Sequence, residues 1–365
     1  MTNTIYKFSA AITLLLCFLI ITSIACMGQN TVDSYHVGFK DSTKIANKDS
    51  LFIKTYSDNI NITTGMSTRN FAFSLDYPNS LQLVLMPNEI QQLSLDLDYR
   101  FISVGISYSP NFLNNSDPIK GHTTRKSFGL SLNTNAWKFR FDYAKTKGFF
   151  VENTQDYDSS WNPGKPYIQL PELTNSQIGF QLSYNFNKRF SQRSITSGEE
   201  KQLRSAMSFI PSLYAYYFRL YDQPDTMSAV YASGDYLRDI DINLVLPFAG
   251  TLVFAKNWYV TTSIGPSIGV DIYQTNSLSA IGDDPRSKTL MSFGYLTRIG
   301  LGYTGRKWYF GSDAIYREYQ HNNQADEKVV KLFYSLQFYV GFRINPPKFV
   351  KKSVDWTEKV APVKL

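Results

Sequence analysis

Apolar and polar side chains alternate along much of this chain. The clearest run starts at Trp137, where every second residue through Tyr143 is aromatic and the residues between them are charged. Successive side chains of a strand point to opposite faces, so one face of such a strand is aromatic and the other is charged. Runs of the same kind start at Leu93, Ile102, Ile178, Ile240 and Leu332. The pattern predicts a protein built from long antiparallel strands.

The alternation predicts about twelve strands, many of them longer than the ~5–6 residues usual in globular proteins. Several reach the ~9–11 residues with which a tilted strand crosses a bilayer. The predicted strands are 79–86, 89–98, 100–109, 123–134, 136–147, 173–187, 203–221, 237–255, 257–273, 287–304, 306–319 and 328–344.

The connections between these strands alternate in length. Very short turns are predicted at residues 99–100, 135, 256 and 305–306, and polar loops at 110–122, 148–172, 222–236, 274–286 and 320–327. Short periplasmic turns and longer outer loops are typical of transmembrane β-barrels. Two connections break the rule. The 188–202 link is long although it falls on the short-turn side, and the turn at Pro87 and Asn88 is short although it falls on the loop side.

These patterns predict an all-β fold, a transmembrane antiparallel up-and-down β-barrel of about twelve strands. A closed sheet is required in a membrane because hydrocarbon offers no hydrogen-bond partner to a bare sheet edge. The alternative is a soluble β-sandwich or barrel, which also alternates. The long strands, an export signal and the polar second face favour the membrane barrel.

The N-terminus has the pattern of a secretory signal, with Lys7 followed by a long apolar run and small residues. We predict a signal peptide at 1–28 with cleavage before Gln29, although Cys26 could instead be lipid-modified. The rest is divided into a periplasmic lead-in at 29–78, the barrel at 79–345 and a basic, loosely ordered periplasmic tail at 346–365. Because Cys17 and Cys26 both lie in the signal, the mature chain is expected to have no disulfide and no cysteine metal site.

Composition agrees with a membrane barrel. Aromatic residues make up 15% of the chain and charged residues only 18%, and aromatic rings favour both strands and the membrane–water boundary. The net charge of +7 is spread without a basic block, so no nucleic-acid partner is predicted. We expect the outer membrane of a Gram-negative bacterium, with outer-membrane lipid and the barrel assembly machinery as partners and with no cofactor.

Three of the five tryptophans directly follow predicted short turns. An indole has an apolar body and one polar N–H, which suits the membrane boundary. We therefore predict an aromatic girdle on the periplasmic side, formed by Trp137, Trp258 and Trp308.

Charged residues on the polar face of the strands are candidates for the barrel lumen. Both signs are present, so they could line a selective, porin-like channel or fill a closed barrel with internal ion pairs. Twelve strands are intermediate between filled eight-stranded barrels and open porins, and we predict a mostly occluded lumen. The candidates are Asp96, Asp98, Lys138, Arg140, Asp142, Asp241, Asp271, Arg298, Asp313, Arg317 and Arg343.

Two other functions remain open as alternatives to a structural barrel or narrow channel. A lipid-acting enzyme would rest on two histidines near the outer rim, His122 and His321, since His36 lies in the lead-in. A surface protein that binds glycans or partners would use the aromatics of loops 148–172 and 222–236, which are Tyr157, Trp161, Tyr167 and Tyr231. A calcium site at Asp156 and Asp158 is disfavoured because the segment does not match a twelve-residue calcium loop.

Three segments resemble a known family. The middle one has a strand, a Pro-Asn turn, a second strand and a tyrosine, at Pro87, Asn88 and Tyr99. Together they are similar to the outer-membrane β-barrels grouped as domain of unknown function 4421 (DUF4421), over roughly residues 49–347. The resemblance implies an outer-membrane barrel and brings no catalytic or binding residues. The segments are "DSLFIKTYSDNINITTG" (49–65), "LVLMPNEIQQLSLDLDYRFISVGIS" (83–107) and "FYSLQFYVGFRINPP" (333–347).

Overall fold

The alternating segments form long strands, as the sequence predicts. The computed structural model describes residues 51–75, 83–88, 90–114, 118–134, 136–196, 198–222, 235–275, 286–321 and 329–360. The predicted signal peptide, Cys26, Gln29 and His36 lie outside these residues, as do Asn135 and Tyr231. Among the described residues, no helix is both long enough and apolar enough to cross a membrane.

The strands, in chain order, are β1 Ile53–Thr55, β2 Ile60–Leu75, β3 Leu83–Met86, β4 Ile90–Tyr99, β5 Ile102–Tyr108, β6 Thr124–Asn133, β7 Trp137–Val151, β8 Gln169–Tyr184, β9 Glu200–Gln202, β10 Ala206–Phe209, β11 Ser212–Tyr221, β12 Asp235–Val245, β13 Phe248–Phe254, β14 Trp258–Thr275, β15 Arg286–Thr304, β16 Trp308–His321 and β17 Val329–Ile344. Two α-helices accompany them, α1 Arg193–Thr196 and α2 Lys348–Val360, with a 3-10 turn at Thr154–Asp156.

The sheet closes on itself. Hydrogen-bonded neighbours follow the order β2, β4, β5, β6, β7, β8, β11, β12, β14, β15, β16 and β17, and β17 pairs back with β2. All twelve pairings are antiparallel. The predicted twelve-stranded antiparallel barrel is therefore confirmed.

The barrel begins earlier than the sequence predicts. Strand β2 starts at Ile60 and pairs with β17 from Ile60 to Leu75, so the predicted barrel start at residue 79 is wrong. The reason is the weak alternation of this strand: positions such as Thr64 and Thr68 share the face of Met66, which leaves no continuous apolar row to detect.

The predicted turn at Pro87 and Asn88 is also wrong, because these residues interrupt a single strand. On β2, Phe73 pairs with Leu85 and Arg69 pairs with Ile90, so the opposing chain has one extra residue between the two pairs. That is a β-bulge. Asn88 fills it, with its backbone N–H donating to Thr123 Oγ1 at 3.0 Å. The prediction omits β2 and counts β3 and β4, which form one interrupted wall strand, as two strands. The two errors cancel, so the predicted count of twelve agrees with the structure.

The outer face of the barrel is apolar and the inner face is polar. On β17, Phe338 is 55% exposed on the outside, whereas Ser335 and Arg343 on the other face are buried. The same holds around the sheet, where outward side chains include Leu95, Ile106, Phe128, Phe139, Phe180, Leu213, Ile242, Ile268, Met291, Leu301 and Phe310. This is the reverse of a soluble core and the arrangement of an outer-membrane β-barrel.

The two ends of the barrel differ. At one end, short turns connect β4 to β5, β13 to β14 and β15 to β16. We call this the short-turn end and the opposite one the long-loop end. At the short-turn end Arg100, Ala255 and Lys256 adopt positive φ values of 57°, 46° and 66°, as tight turns between twisted strands require.

The C-terminal tail differs from its prediction. Residues 348–360 form α2 rather than a loosely ordered segment. The helix is attached to the barrel by an ion pair between Asp355 and Arg100 at 2.7 Å.

Candidate functional site

The barrel interior contains a polar chamber of about 440 Å³. Small residues such as Gly105, Gly129 and Ser131 line one wall, and larger polar side chains line the rest. Nine of the eleven predicted lumen residues face this chamber: Asp96, Asp98, Lys138, Arg140, Asp142, Asp241, Arg298, Asp313 and Arg317. The other two, Asp271 and Arg343, are buried towards the long-loop end and the short-turn end, respectively.

Opposite charges in the chamber form ion pairs. Arg140 contacts Asp142 at 2.7 Å on the same strand. Arg298 contacts Asp313 at 2.7 Å across the β15–β16 pair. Residues two apart on one strand share a face, so the alternation itself brings Arg140 and Asp142 together.

A second charged cluster lies towards the long-loop end. Lys331 of β17 contacts Asp239, Asp241 at 3.4 Å and Asp271 at 2.9 Å. All four side chains are buried. Lys331 and Asp239 are not among the predicted lumen residues. Their position was predictable, because Asp239 is on the same face of β12 as Asp241, and Lys331 is on the same face of β17 as Arg343.

Inward-facing tyrosines are the largest group that sequence reasoning missed. The ring of Tyr216 lies over its paired residue Gly179, where a Cβ would be 2.3 Å from the ring, and Tyr309 lies over Gly341 in the same way at 2.1 Å. Arg317 stacks 4.7 Å from the Tyr214 ring and donates to the Tyr216 hydroxyl at 3.1 Å. A glycine paired with a tyrosine across two strands was the available signal, because a close ring leaves no room for a side chain.

A separate segment closes the short-turn end. Residues 186–205 connect β8 to β10 and contain α1 and β9; β9 pairs with β1, Ile53–Thr55. We call these residues together with β1 the plug. Its side chains Phe190, Gln192 and Ile195 form the floor of the chamber. The 188–202 link, which is long although it falls on the short-turn side, is thus part of the plug.

Hydrogen bonds hold the plug to the rim. Arg193 donates to the carbonyl oxygens of Asn133 and Arg100, the latter at 3.3 Å. Arg343 of β17 donates from Nη2 to Gly198 O at 2.5 Å, and Lys201 Nζ donates to Asn257 Oδ1 at 2.5 Å. Most acceptors are backbone oxygens of turns and strand ends, which closed strands leave unpaired at a barrel mouth.

The plug also has an apolar anchor, Phe190, and a lysine with a lowered pKa, Lys201. Phe190 is 1% exposed and packs with Ala206, Ile210 and Ala249. Burial, together with the nearby cations Lys54, Lys256 and Arg343, lowers the pKa of Lys201.

Wall side chains pack together inside the long-loop end. An apolar cluster of six buried residues lies there, drawn from the five strands β3, β7, β8, β11 and β12: Leu85, Phe149, Val151, Leu173, Leu220 and Leu237. Leu220 and Leu237 are paired on β11 and β12 and lie one layer beyond Asp239. Unlike the plug, this cluster is made by residues of the strands.

The predicted girdle residues lie next to the short turns. Trp137 packs edge-on against Tyr184 with ring centroids 4.7 Å apart, Trp258 contacts Phe310 at 5.8 Å, and Trp308 contacts Phe342 at 5.4 Å. In two of these turns a backbone N–H donates to the tryptophan carbonyl, from Thr134 at 2.8 Å and from Gly305 at 2.9 Å.

The long loop 152–168 is mostly exposed but is held by internal contacts. Trp161 contacts Tyr167 with ring centroids 4.9 Å apart and donates to Pro166 O at 3.0 Å, while Tyr157 is exposed. Asp158 accepts hydrogen bonds from Ser160 N–H at 2.9 Å and from its hydroxyl at 2.7 Å, and these bonds lower its pKa.

The two histidines of the enzyme hypothesis, His122 and His321, lie at the long-loop end. In the described part of the chain, no group of three or more His, Cys, Asp or Glu side chains is placed to hold a metal ion. His122 is exposed in the 109–123 loop, and β16 ends at His321, whose side chain lies outside the described part.

A closed antiparallel barrel with an apolar outside and a polar inside defines the class of outer-membrane β-barrels. The chain belongs to the family described as "Domain of unknown function (DUF4421)", whose sequence model matches residues 47–344. Comparison with curated proteins gives no match.

Three solved structures are similar to this chain at low sequence identity. The outer membrane protease OmpT from Escherichia coli is 8% identical, with 80% of this chain and 98% of that chain covered and a TM-score of 0.34. The beta domain of the Bordetella autotransporter BrkA is 9% identical, with 77% and 99% covered and a TM-score of 0.40. The P. putida toluene transporter TodX is 10% identical, with 81% and 94% covered and a TM-score of 0.27. No activity is carried over from them to this chain.

Proposed function

We propose that this protein is an outer-membrane channel in a closed state, a barrel with a polar chamber that the plug seals from the periplasm. The supporting observation is the way the plug is attached. It is a segment beside the wall, joined to the rim by hydrogen bonds from Arg193, Lys201 and Arg343. Such a segment can leave the mouth while the twelve wall strands keep their pairing.

The proposal includes an orientation. The short-turn end faces the periplasm and the long-loop end faces the outside, as in other barrels of this class. Trp137, Trp258 and Trp308 then form the periplasmic girdle, and α2 lies on the periplasmic side. Export by the signal peptide at 1–28, insertion by the barrel assembly machinery and contact with outer-membrane lipid complete the proposal.

The chamber chemistry favours passage or storage of a small polar solute over catalysis. Two pairs of a carboxylate and a guanidinium group line it, Arg140 with Asp142 and Arg298 with Asp313. We propose no enzymatic role, and the ion pairs would set the charge preference of the open state.

Conductance of the refolded protein in planar bilayers tests this function. The intact protein is expected to show little conductance, and a variant in which residues 188–202 are replaced by a two-residue Asn-Gly turn is expected to show stable open channels. The matched control shortens the packed loop at 153–165 and should stay closed. If the plug-less variant, still folded by heat-modifiability on gels, conducts no more than the intact protein, a plugged channel is the wrong function.

A further inference from the structure

Helix α2 runs along the rim of the barrel rather than away from it. It starts four residues after β17 ends at Ile344, and its Asp355 reaches Arg100 in the β4–β5 turn. Strand β2 lies between β17 and β4 in the sheet. Neighbouring strands are ~4.8 Å apart, and the helix rises ~10 Å between Lys348 and Asp355. The axis therefore crosses the ends of three strands, parallel to the membrane plane.

One side of this helix is apolar and exposed. Phe349 and Trp356 are seven residues apart, which places them on the same face of the helix, and they are 71% and 67% exposed. Val350 and Val354 are half-buried on another side. Neither ring packs against the described part of the barrel, so the apolar ridge of Phe349 and Trp356 is accessible to a molecule or a membrane surface outside the chain.

The apolar belt of the barrel reaches the level of this helix. Ile344, the last residue of β17, still points outward and is 39% exposed. A helix that begins four residues later lies where the hydrocarbon region ends and the lipid headgroups begin. Aromatic side chains, and tryptophan above all, concentrate at this boundary.

The charges of the helix fit an anionic surface. Lys348, Lys351 and Lys352 are exposed in its first two turns, and its first turn contains no acidic residue. Cations are unfavourable at a helix N-terminus because the helix dipole is positive there. A layer of anionic headgroups would reverse this penalty, and basic amphipathic helices with Trp and Phe on the apolar face are typical of membrane surfaces.

We propose that α2 is an interfacial anchor: the ridge of Phe349 and Trp356 inserts into the headgroup layer of the membrane that holds the barrel, and the three lysines bind anionic lipid headgroups. The anchor fixes the short-turn rim to the lipid surface through the Asp355–Arg100 ion pair. The inference rests on the proposed membrane location of the barrel, and the experiment separates the two.

Site-specific fluorescence quenching tests the anchor. The full chain, with Cys17→Ser and Cys26→Ser, receives one cysteine for an NBD label at Trp356→Cys in α2, at Ser160→Cys in an exposed loop, or at Phe338→Cys in the outer belt. Each variant is reconstituted into vesicles of phosphatidylcholine and phosphatidylglycerol. Quenching by a lipid with a nitroxide near its headgroup is compared with quenching by aqueous iodide.

Strong lipid quenching is expected for the label at 356 and strong iodide quenching for the label at 160. Combining Trp356→Cys with Lys348→Glu, Lys351→Glu and Lys352→Glu should shift the 356 label towards iodide quenching. Lipid quenching at 338 with only iodide quenching at 356 would overturn the anchor and leave the membrane barrel standing. Iodide quenching at both positions would contradict the membrane barrel itself, and an unchanged 356 signal in the glutamate variant would refute the role of the lysines.

Discussion

The two ends of the barrel are closed by different physical means. At the long-loop end the wall closes itself, with leucine and aromatic side chains of the strands meeting in an apolar cluster. At the short-turn end the plug lies in the barrel mouth. Arg193 of the plug donates hydrogen bonds to carbonyl oxygens of the rim, and Arg343 of the rim donates to Gly198 O of the plug.

The difference indicates which end can open. An apolar cluster made of wall residues can be removed only with the strands that carry it, so its loss costs the stability of the sheet. The plug is held mainly by hydrogen bonds from charged side chains, which it exchanges for water when it leaves at a net cost of about 1.5–3 kcal/mol each. Phe190 also has to leave its contacts with Ala206, Ile210 and Ala249. We therefore expect the two closures to respond separately to mutation.

The largest effect is expected at the long-loop end. Leu220→Ala removes a buried side chain from the apolar cluster and should lower the free energy of unfolding by about 2–5 kcal/mol through lost burial and the cavity left behind. Leu213→Ala is the matched control, because Leu213 lies on the same strand and points outward. Urea unfolding in detergent measures both. An equal loss in the two variants would contradict the apolar closure.

A smaller, local effect is expected at the short-turn end. Arg343→Met removes the charged donor to Gly198 O of the plug and should weaken plug docking by about 1.5–3 kcal/mol. It also removes a bond to Gly305 O, which lies within the rim. Hydrogen exchange of β9 would accelerate, while exchange of the wall strands would not. Lys307→Met, an exposed change on the neighbouring turn, is the control. Exchange that accelerates throughout the barrel would mean that the plug and the wall form one cooperative unit.

The smallest expected effect is a pH dependence of the plug. Burial lowers the pKa of Lys201 below the ordinary lysine value of 10.5, so the docked plug binds fewer protons than the released plug. Docking should therefore strengthen as the pH rises through the lowered pKa towards that ordinary value. At lower pH, Lys201 is charged in both states and docking is weakened by the full cost of holding that charge in the docked plug. Channel openings in planar bilayers should become rarer as the pH rises towards the ordinary lysine value of 10.5, and Lys201→Met should flatten this trend.

The wall was predictable because a strand between lipid and lumen must alternate, and alternation is visible in the chain. Strand β2 escaped detection because threonines share the outward face with Met66, and a bulge at Asn88 mimicked a turn. The charged lumen residues were predictable because they alternate with apolar residues along the same strands. Inward tyrosines such as Tyr216 and Tyr309 could not be predicted from alternation, because an aromatic side chain suits the lipid-facing side of a strand as well.

The plug could not be derived from local patterns. Its only sequence signal was the length of the 188–202 link on the side where turns are short. What keeps it in place is contact with residues far away in the chain, as Arg193 with Asn133 and Gly198 with Arg343. Such contacts depend on the closed barrel, which periodicity predicts only as a class.

Accessibility of the chamber is the most direct test of closure at both ends. In the chain with Cys17→Ser and Cys26→Ser, Ser263→Cys places a thiol on the chamber wall, and Ser160→Cys places one on an exposed loop. A bulky hydrophilic maleimide should modify the thiol at 160 rapidly and the thiol at 263 very slowly. Replacing residues 188–202 by the Asn-Gly turn should bring the rate at 263 close to that at 160. Rapid modification at 263 in the intact barrel would contradict the closed chamber.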